Sequence, residues 1–366
     1  MGLRALVIDD TILFRKVISE ALAELPGVEV VGTASSGRSA LARIAELDPD
    51  VVTLDIEMPD MTGLEVLAEM RRRSLRAGVL VVSAVTVHGG ELTLKALELG
   101  AFDFITKPIG LSAEQSRKAI REATGTLLKA YAHRCEIRSI LQNRAPAPLP
   151  PKAPPAAADL ASVTRRMERL SSSARPDMIL IGVSTGGPVA LGELIPKLPA
   201  NLNLPVLIVQ HMPPMFTKCL ASSLDAKSAL RVREAVDGDR LQPNMVFIAP
   251  GGKQMKLTPE AGEKVLRITD DPPENNCRPA VDYLFRSVAH QFPGRALAVI
   301  MTGMGSDGTL GLRLLKRTGC ATLAQDEASC VVFGMPGEAV KAGVVDAVVP
   351  LNDMAAAICR MAKGAT

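Results

Sequence analysis

Apolar residues in the first part of the chain fall in short, nearly unbroken runs. LRALVID, VEVVGTA, DVVTLD, VLVVSAV and AFDFIT are rich in Val and Ile. Between them lie helically patterned stretches of about ten to fifteen residues. Runs this short, with no polar alternation, predict strands buried on both faces. Strand and helix in alternation predict a parallel sheet covered by helices on each side. The pattern returns later in the chain as DMILIGV, PVLIVQH, MVFIAPG, ALAVIMTG, ATLAQD and VVDAVVP, with KQMKLTP and KVLRIT reading as an inserted hairpin. The fold class expected is α/β, as two doubly wound parallel-sheet domains, the second larger than the first.

Between the two patterns the periodicity stops. Residues 145–158, APAPLPPKAPPAAA, carry too much proline to build a core and favour an extended, semi-rigid linker. Residues 160–170 place Leu160, Val163, Met167 and Leu170 at helical spacing with a basic opposite face, which suits a solvated linker helix or a docking helix. The expected division is 1–125 for the first domain, 126–175 for a helical and Pro-rich linker, and 176–366 for the second. A chain of 366 residues also exceeds one ordinary hydrophobic core.

Composition narrows the function classes. The chain is 47% hydrophobic and 22% charged, the balance of a globular protein. A net charge of +3 spread over this length leaves no basic footprint for nucleic acid, and 3% aromatics with no Trp leaves no stacking platform. The six cysteines form no C-x-x-C pair and read as reduced thiols. MGLRALVIDD lacks the shape of a signal peptide, Leu6 stands where a myristoylation signal needs Ser or Thr, and no apolar run is long enough for a bilayer. A cytoplasmic monomer that neither inserts in membranes nor binds nucleic acid is expected.

In doubly wound sheets, function gathers at the carboxyl ends of the strands. The first domain places Asp9 and Asp10, Asp55, Ser83 and Lys107 there. An Asp after a strand is, alone, most often a turn or cap residue. Three carboxylates on one edge repel unless a cation bridges them, and hard oxygen donors in a partial cage suit Mg²⁺. Lys107 would then meet a phosphate as a point charge, and the Ser83 hydroxyl would donate to it. As a set, these residues resemble the receiver domain of two-component response regulators, a flavodoxin-like five-stranded fold, over about residues 1–125. The resemblance implies Asp55 as phosphoacceptor, with Mg²⁺ held by Asp9, Asp10, Asp55 and the Glu57 backbone. It also implies Ser83 and Phe104 as the switch pair that reports phosphorylation. Thr11 stands where Ser is more usual, which bears on local capping only. A receiver controls an output, because an aspartyl phosphate adds charge and acceptors that can repack a nearby loop.

In the second domain, IGVSTGGP follows a buried strand and opens a helix. GVSTG fits the strand-to-helix turn that exposes a nucleophilic serine, but such turns also bind anions or merely turn. The absence of a Lys-Ser/Thr ending excludes a Walker loop. A base and an orienting acid at other strand ends would select the nucleophile. Of the four histidines, His88 falls in an expected loop before a helix, His133 near the linker and His290 on a helix. His211 alone follows a buried strand, in QHMPP, and Asp307 follows another, in VIMTGMGSDG. Ser184 would attack a carbonyl, His211 would take and return the proton, and Asp307 would hold the imidazole. The order Ser–His–Asp sets the fold apart from α/β-hydrolases while keeping the roles. Backbone N–H groups around Met304 and the Ser184 turn are candidates for an oxyanion hole. Thr185 would either support the site or cap the helix.

IGVSTGGP, VQHMP, MTGMGSDG and AQDEASCVVFGMP resemble the catalytic domain of chemotaxis protein-glutamate methylesterases, over about residues 176–364. The resemblance implies hydrolysis of glutamate γ-methyl esters on the cytoplasmic helices of chemoreceptors, and deamidation of certain receptor glutamines, through one serine and with no cofactor in the esterase site. It implies methylated chemoreceptors as substrate and a chemotaxis histidine kinase as phosphodonor. Gln325 and Asp326 acquire no catalytic role. The expected regulation has the unphosphorylated receiver covering the approach to Ser184, with phospho-Asp55 weakening that contact. Two other classes compete. A DNA-binding regulator needs a helix-turn-helix output, which these strand-rich residues lack. A non-catalytic scaffold would use STGG to bind anions.

Overall fold

A computed structural model describes residues 2–143 and 175–363, and the chain divides into two compact units, Met1–Asn143 and Arg144–Thr366. The proline-rich stretch 145–158 and the helically spaced 160–170 lie outside the described residues.

In the first unit, β1 (Leu3–Ile8), β2 (Val28–Ala34), β3 (Val51–Asp55), β4 (Gly78–Ser83) and β5 (Asp103–Thr106) form one parallel sheet in the order β2-β1-β3-β4-β5. The helices between them are α1 (Ile12–Ala23), α2 (Gly37–Leu47), α3 (Gly63–Arg72) and α4 (Val87–Glu98). Ile18, Ala21 and Leu22 of α1 bury against Val7, Val51 and Leu80 of the sheet. Fully burying aliphatic side chains of this size contributes about 1.5–3 kcal/mol each. Thr62 and Glu65 form a reciprocal capping box that starts α3. Gly63 is required there, because a Cβ at that position would sit 2.4 Å from the Asp55 carbonyl oxygen. The closing helix α5 runs over Ala113–Asn143, across residue 125. His88 lies in the first turn of α4, not in a loop before it, because Thr86 caps that helix through the Gly89 N–H.

The second unit carries a seven-stranded parallel sheet. Its strands are β6 (Met178–Val183), β7 (Val206–Gln210), β8 (Arg231–Glu234), β9 (Met245–Ile248), β12 (Ala296–Ile300), β13 (Ala321–Gln325) and β14 (Ala347–Val349), in the order β14-β13-β12-β6-β7-β9-β8. β10 (Gln254–Glu260) and β11 (Glu263–Thr269) form the antiparallel hairpin expected from the sequence. The helices are α6 (Gly187–Leu194), α7 (Phe216–Asp225), α8 (Val281–Gln291), α9 (Thr309–Arg317), α10 (Met335–Lys341) and α11 (Leu351–Lys363). One core joins Leu180, Leu207, Phe247 and Ala298 of the sheet to Leu284, Phe285 and Val288 of α8 and Leu312 and Leu315 of α9. The edge strand β8, RVRE, is an addition to the expected set. Only Val232 of its four residues is buried, so no apolar run marks it.

In both sheets the strand order reverses beside the unit's first strand. Chain crossovers leave on opposite sides of β1 and β3 in one unit, and of β12 and β6 in the other. A crevice at the carboxyl ends of those strands is where ligands of such sheets bind.

Candidate functional site

The crevice of the first unit is acidic. Asp9 follows β1 and is fully buried, Asp10 is half-buried, and Asp55 ends β3 almost fully buried. Ligand atoms from all three lie within 4.8 Å of one another. Lys107, just past β5, places Nζ 2.6 Å from Asp55 Oδ2 and 2.9 Å from Asp9 Oδ2, and lies 5.1 Å from the centre of the Phe14 ring. Burial pushes the Asp55 carboxyl up to about 6, against the pull of Lys107 and of a hydrogen bond from the Glu57 N–H. Burial works against the Lys107 charge, yet its contacts with Asp55 and Asp9 outweigh this and its pKa is raised. Asp9 Oδ2 meets the ammonium as an ion pair outside hydrogen-bonding geometry and has no hydrogen-bond partner. A buried carboxylate oxygen left in that state fits a divalent cation, and an all-oxygen donor set selects a hard one.

The other receiver-type residues lie close by in the same unit. The Ser83 hydroxyl ends β4, accepts from Thr93 Oγ1 at 2.7 Å and faces the Gly89 carbonyl at 3.2 Å. Phe104 is half-buried on β5. Thr11 is the N-cap residue of α1 but makes no side-chain cap; its N–H donates to Asp9 Oδ1 at 2.9 Å.

The second unit brings Ser184, His211 and Asp307 to the ends of β6, β7 and β12, three strands adjacent in the sheet. The turn after β6 is sharp. Gly186 has φ 76°, open to glycine at little cost, and a Cβ on Gly187 would lie 2.0 Å from Gln210 Oε1. Gly186 is also the residue that precedes α6, so Thr185 is not its N-cap. Thr185 is buried instead, and its carbonyl accepts from Thr302 Oγ1 at 2.9 Å. Gln210, a polar residue closing the apolar run of β7, is buried. Its amide donates to the Ser184 carbonyl at 2.9 Å and the His211 carbonyl at 3.1 Å, tying two strand ends together.

His211 Nε2 lies 2.8 Å from Asp307 Oδ2. Asp307 is held in turn by the Val281 and Asp282 N–H groups at 2.7 and 3.0 Å and by Asn275 Nδ2 at 2.9 Å. Burial would raise the Asp307 carboxyl, but these donors and His211 bring it below the usual carboxylate range. Its neighbour Asp282 is pushed up to about 6 by burial. Burial works against the His211 charge too, and is outweighed by the hydrogen bond to Asp307 and by Cys277; the imidazole rises to about 9. His211 Nδ1 lies 3.6 Å from Cys277 Sγ. Among the described residues no hydrogen bond joins Ser184 Oγ to His211. Met304 lies half-buried in the loop between β12 and α9.

Strand-end reasoning from the sequence places Ser184, His211 and Asp307 beyond adjoining strands, where the structure has them, and misses Gln210, Asn275, Asp282 and Cys277. Gln210 carries a usable signal, as the lone polar residue of VLIVQ. The other three carry none, because they arrive on a turn after the hairpin and at the start of α8. Gln325, given no role, accepts from the Thr302 N–H at 2.9 Å and fixes the backbone beside the Ser184 turn.

These features define a class: a doubly wound unit with an acidic strand-end crevice ahead of an α/β unit with a serine, a histidine and an aspartate at adjoining strand ends. The chain matches the response regulator receiver domain family over residues 5–121 and the CheB methylesterase family over residues 179–358. It is 46% identical over 364 residues to a protein-glutamate methylesterase/protein-glutamine glutaminase of Desulfotalea psychrophila, covering 99% of each chain. A protein of the same description from Trichodesmium erythraeum is 40% identical over 358 residues, with 98% of each covered. The crystal structure of the Thermotoga maritima CheB methylesterase catalytic domain is similar with a TM-score of 0.50 and 41% identity, over 51% of this chain and 98% of that one. The chain belongs to the CheB methylesterase family, with a response regulator receiver domain in front.

Proposed function

We propose that the protein is a phosphorylation-activated protein-glutamate methylesterase and protein-glutamine glutaminase that acts on chemoreceptors. The observation that carries the reading is the 2.8 Å pairing of His211 Nε2 with Asp307 Oδ2, beside the strand that leads into Ser184. Asp307 fixes the tautomer and leaves Nδ1 as the proton acceptor. Ser184 Oγ attacks the side-chain carbonyl of a glutamyl methyl ester or a glutamine, and its proton passes to His211. The imidazolium returns that proton to the leaving methanol or ammonia. Water, activated by the same ring, then releases glutamate and frees Ser184. The Ser184–His211 hydrogen bond closes as substrate binds, as relay contacts of unliganded sites commonly do. The Met304 N–H and the Ser184 turn receive the oxyanion, and buried Thr185 supports that turn. The chemistry needs no cofactor at this site.

Control falls to the first domain, residues 1–125, joined through 126–175 to the catalytic domain, residues 176–366. A chemotaxis histidine kinase phosphorylates Asp55. Asp9, Asp10, Asp55 and the Glu57 carbonyl would hold Mg²⁺, whose charge would offset that of an incoming phosphoryl group. Lys107 leaves Asp55 to pair with the phosphate. Ser83 turns from Gly89 toward it, and Phe104 follows, which reports phosphorylation to the esterase domain. Among the described residues no helix is long and apolar enough to cross a membrane. A substrate on the cytoplasmic helices of chemoreceptors puts the enzyme, as a monomer, in the cytoplasm.

The test is methanol release from methylated receptor membranes, with and without a small phosphodonor. The wild type should release methanol faster with the donor. Ser184→Ala should lose at least about 10⁴-fold of the rate while Asp55 still takes phosphate. Substantial turnover by Ser184→Ala would remove the serine from this role. A serine-directed phosphonate that fails to label Ser184 would favour the scaffold reading.

A further inference from the structure

We infer that His211 and Cys277 form a binding site for a soft divalent cation such as Zn²⁺, inside the candidate esterase site and separate from the Mg²⁺ pocket of the first unit. Zinc bonds thiolate sulfur at about 2.3 Å and imidazole nitrogen at about 2.0–2.1 Å, so a tetrahedral angle places the two donors about 3.6 Å apart. His211 Nδ1 and Cys277 Sγ are 3.6 Å apart. The other imidazole nitrogen is held by Asp307 at 2.8 Å, the carboxylate–histidine arrangement that orients metal-bound rings. One ligand atom each from His211, Cys277 and Asp307 lies within 4.8 Å of the other two.

Cys277 is held in place. It closes a turn from Glu274 in which Asn275 and Asn276 have φ 52° and 59°, and the Glu274 and Cys277 backbones exchange hydrogen bonds of 3.1 and 2.8 Å. Arg286 grips Glu274 with two nitrogens, and Asn275 bonds Asp307 at 2.9 Å. One short turn thus positions the sulfur and braces the carboxylate behind the ring, so little ordering remains for a metal to impose. Cys277 and His211 are both half-buried, which leaves an approach from solvent. Thiolate with imidazole selects zinc over magnesium, the reverse of the first unit.

On binding, the Cys277 thiol and the imidazolium Nδ1 each give a proton to solvent. The thiolate sulfur and the freed Nδ1 then each donate a lone pair to the metal, and water fills the remaining positions. Metal on Nδ1 occupies the nitrogen that must accept the Ser184 proton. The binding stands apart from the esterase reading; inhibition of methanol release rests on it.

The experiment is a Co²⁺ titration of the full chain, read by the near-ultraviolet thiolate-to-cobalt band, with Zn²⁺ as displacer. A saturable band is expected in the wild type and in Ser184→Ala, bleached by Zn²⁺, untouched by Mg²⁺, and lost in both Cys277→Ala and Cys277→Ser. In methanol release, the Zn²⁺ concentration that halves the rate should rise at least about tenfold in Cys277→Ser, since one of the two inner ligands is gone. No saturable band in the wild type, or a band that persists in a folded Cys277→Ser, overturns the site. Should Ser184→Ala hydrolyse ester while the cobalt band stands, the esterase reading fails and the metal site survives. A dead Ser184→Ala with no band in the wild type means the opposite: the metal site fails and the esterase reading survives.

Discussion

The two crevices occupy equivalent places in two parallel sheets and solve opposite electrostatic problems. In the first, carboxylates crowd one edge with a single ammonium among them, and Asp9 Oδ2 is buried with no hydrogen bond. Charge there is left incompletely answered, which is what a site that takes up a cation and a phosphoryl group requires. In the second, the one carboxylate that touches the histidine is saturated by Val281, Asp282 and Asn275, and is held in its charged form. On the proposed function, one architecture would serve as an acceptor where its charges are left open and as a proton relay where they are closed. The difference lies in the backbone donors aimed at the carboxylate, more than in the residue type.

The sharpest way to break this comparison is to remove one charge from each crevice. Asp307→Asn keeps the shape but offers an amide where His211 needs an acceptor, so the ring loses its tautomer. Methanol release should fall by about 10³–10⁴-fold, with phosphate uptake at Asp55 unchanged. Asp55→Asn should do the reverse, abolishing stimulation by a phosphodonor while leaving the unstimulated rate. Loss of phosphate uptake in Asp307→Asn would mean that the two crevices are not chemically independent.

Much of this division was legible in the sequence, for a physical reason. A parallel sheet sends every strand's carboxyl end to one edge, so Asp9, Asp55 and Lys107, and separately Ser184, His211 and Asp307, could be grouped from apolar runs alone. Strand β8 escaped because an edge strand with one buried residue, Val232, has no apolar run to betray it. Cys277 and Asn275 escaped because no periodicity connects a turn to a histidine 66 residues earlier; the hairpin and α8 together bring them there. Of the two roles open to Thr185, support of the site or a helix cap, the cap falls away because glycine at φ 76° makes the turn.

A second test uses pH: both crevices should lose stability as pH rises, the first between about 3.8 and 6 and the second between 6.5 and about 9. His211 is raised from 6.5 to about 9, so near neutrality most of it carries a proton and is no base. The esterase rate should climb about tenfold per pH unit from neutrality and level off near 9, provided chemistry is rate-limiting. Stability runs the other way. A group whose folded pKa is raised lends stability that is complete below its ordinary value of 6.5 and is lost as pH rises through about 9. Asp55, raised to about 6 by burial, disfavours the folded state above its ordinary value of 3.8, and that cost eases as pH falls through about 6. Initial rates and urea midpoints across this range would check both signs. A pH–rate profile already flat by 7 would show that Asp307 and Cys277 do not hold the proton on His211.

The smallest effect expected is at Gln210, and it asks whether saturation of the second crevice extends to its backbone. The buried amide donates to the carbonyls of Ser184 and His211, holding nucleophile and base at a fixed spacing without touching either reacting atom. Gln210→Leu fills nearly the same space and removes both donors. Leaving buried carbonyls without partners costs about 1–3 kcal/mol of stability. Because proton transfer depends steeply on spacing, kcat should fall by about tenfold. KM should change little, since Gln210 makes no surface for substrate. The pH midpoint should stay where His211 sets it, because the Asp307 and Cys277 contacts are untouched. A purely structural glutamine would lower the urea midpoint and leave kcat per folded molecule intact. A fall in kcat with an unmoved pH midpoint would place Gln210 as the residue that positions Ser184 and His211 together.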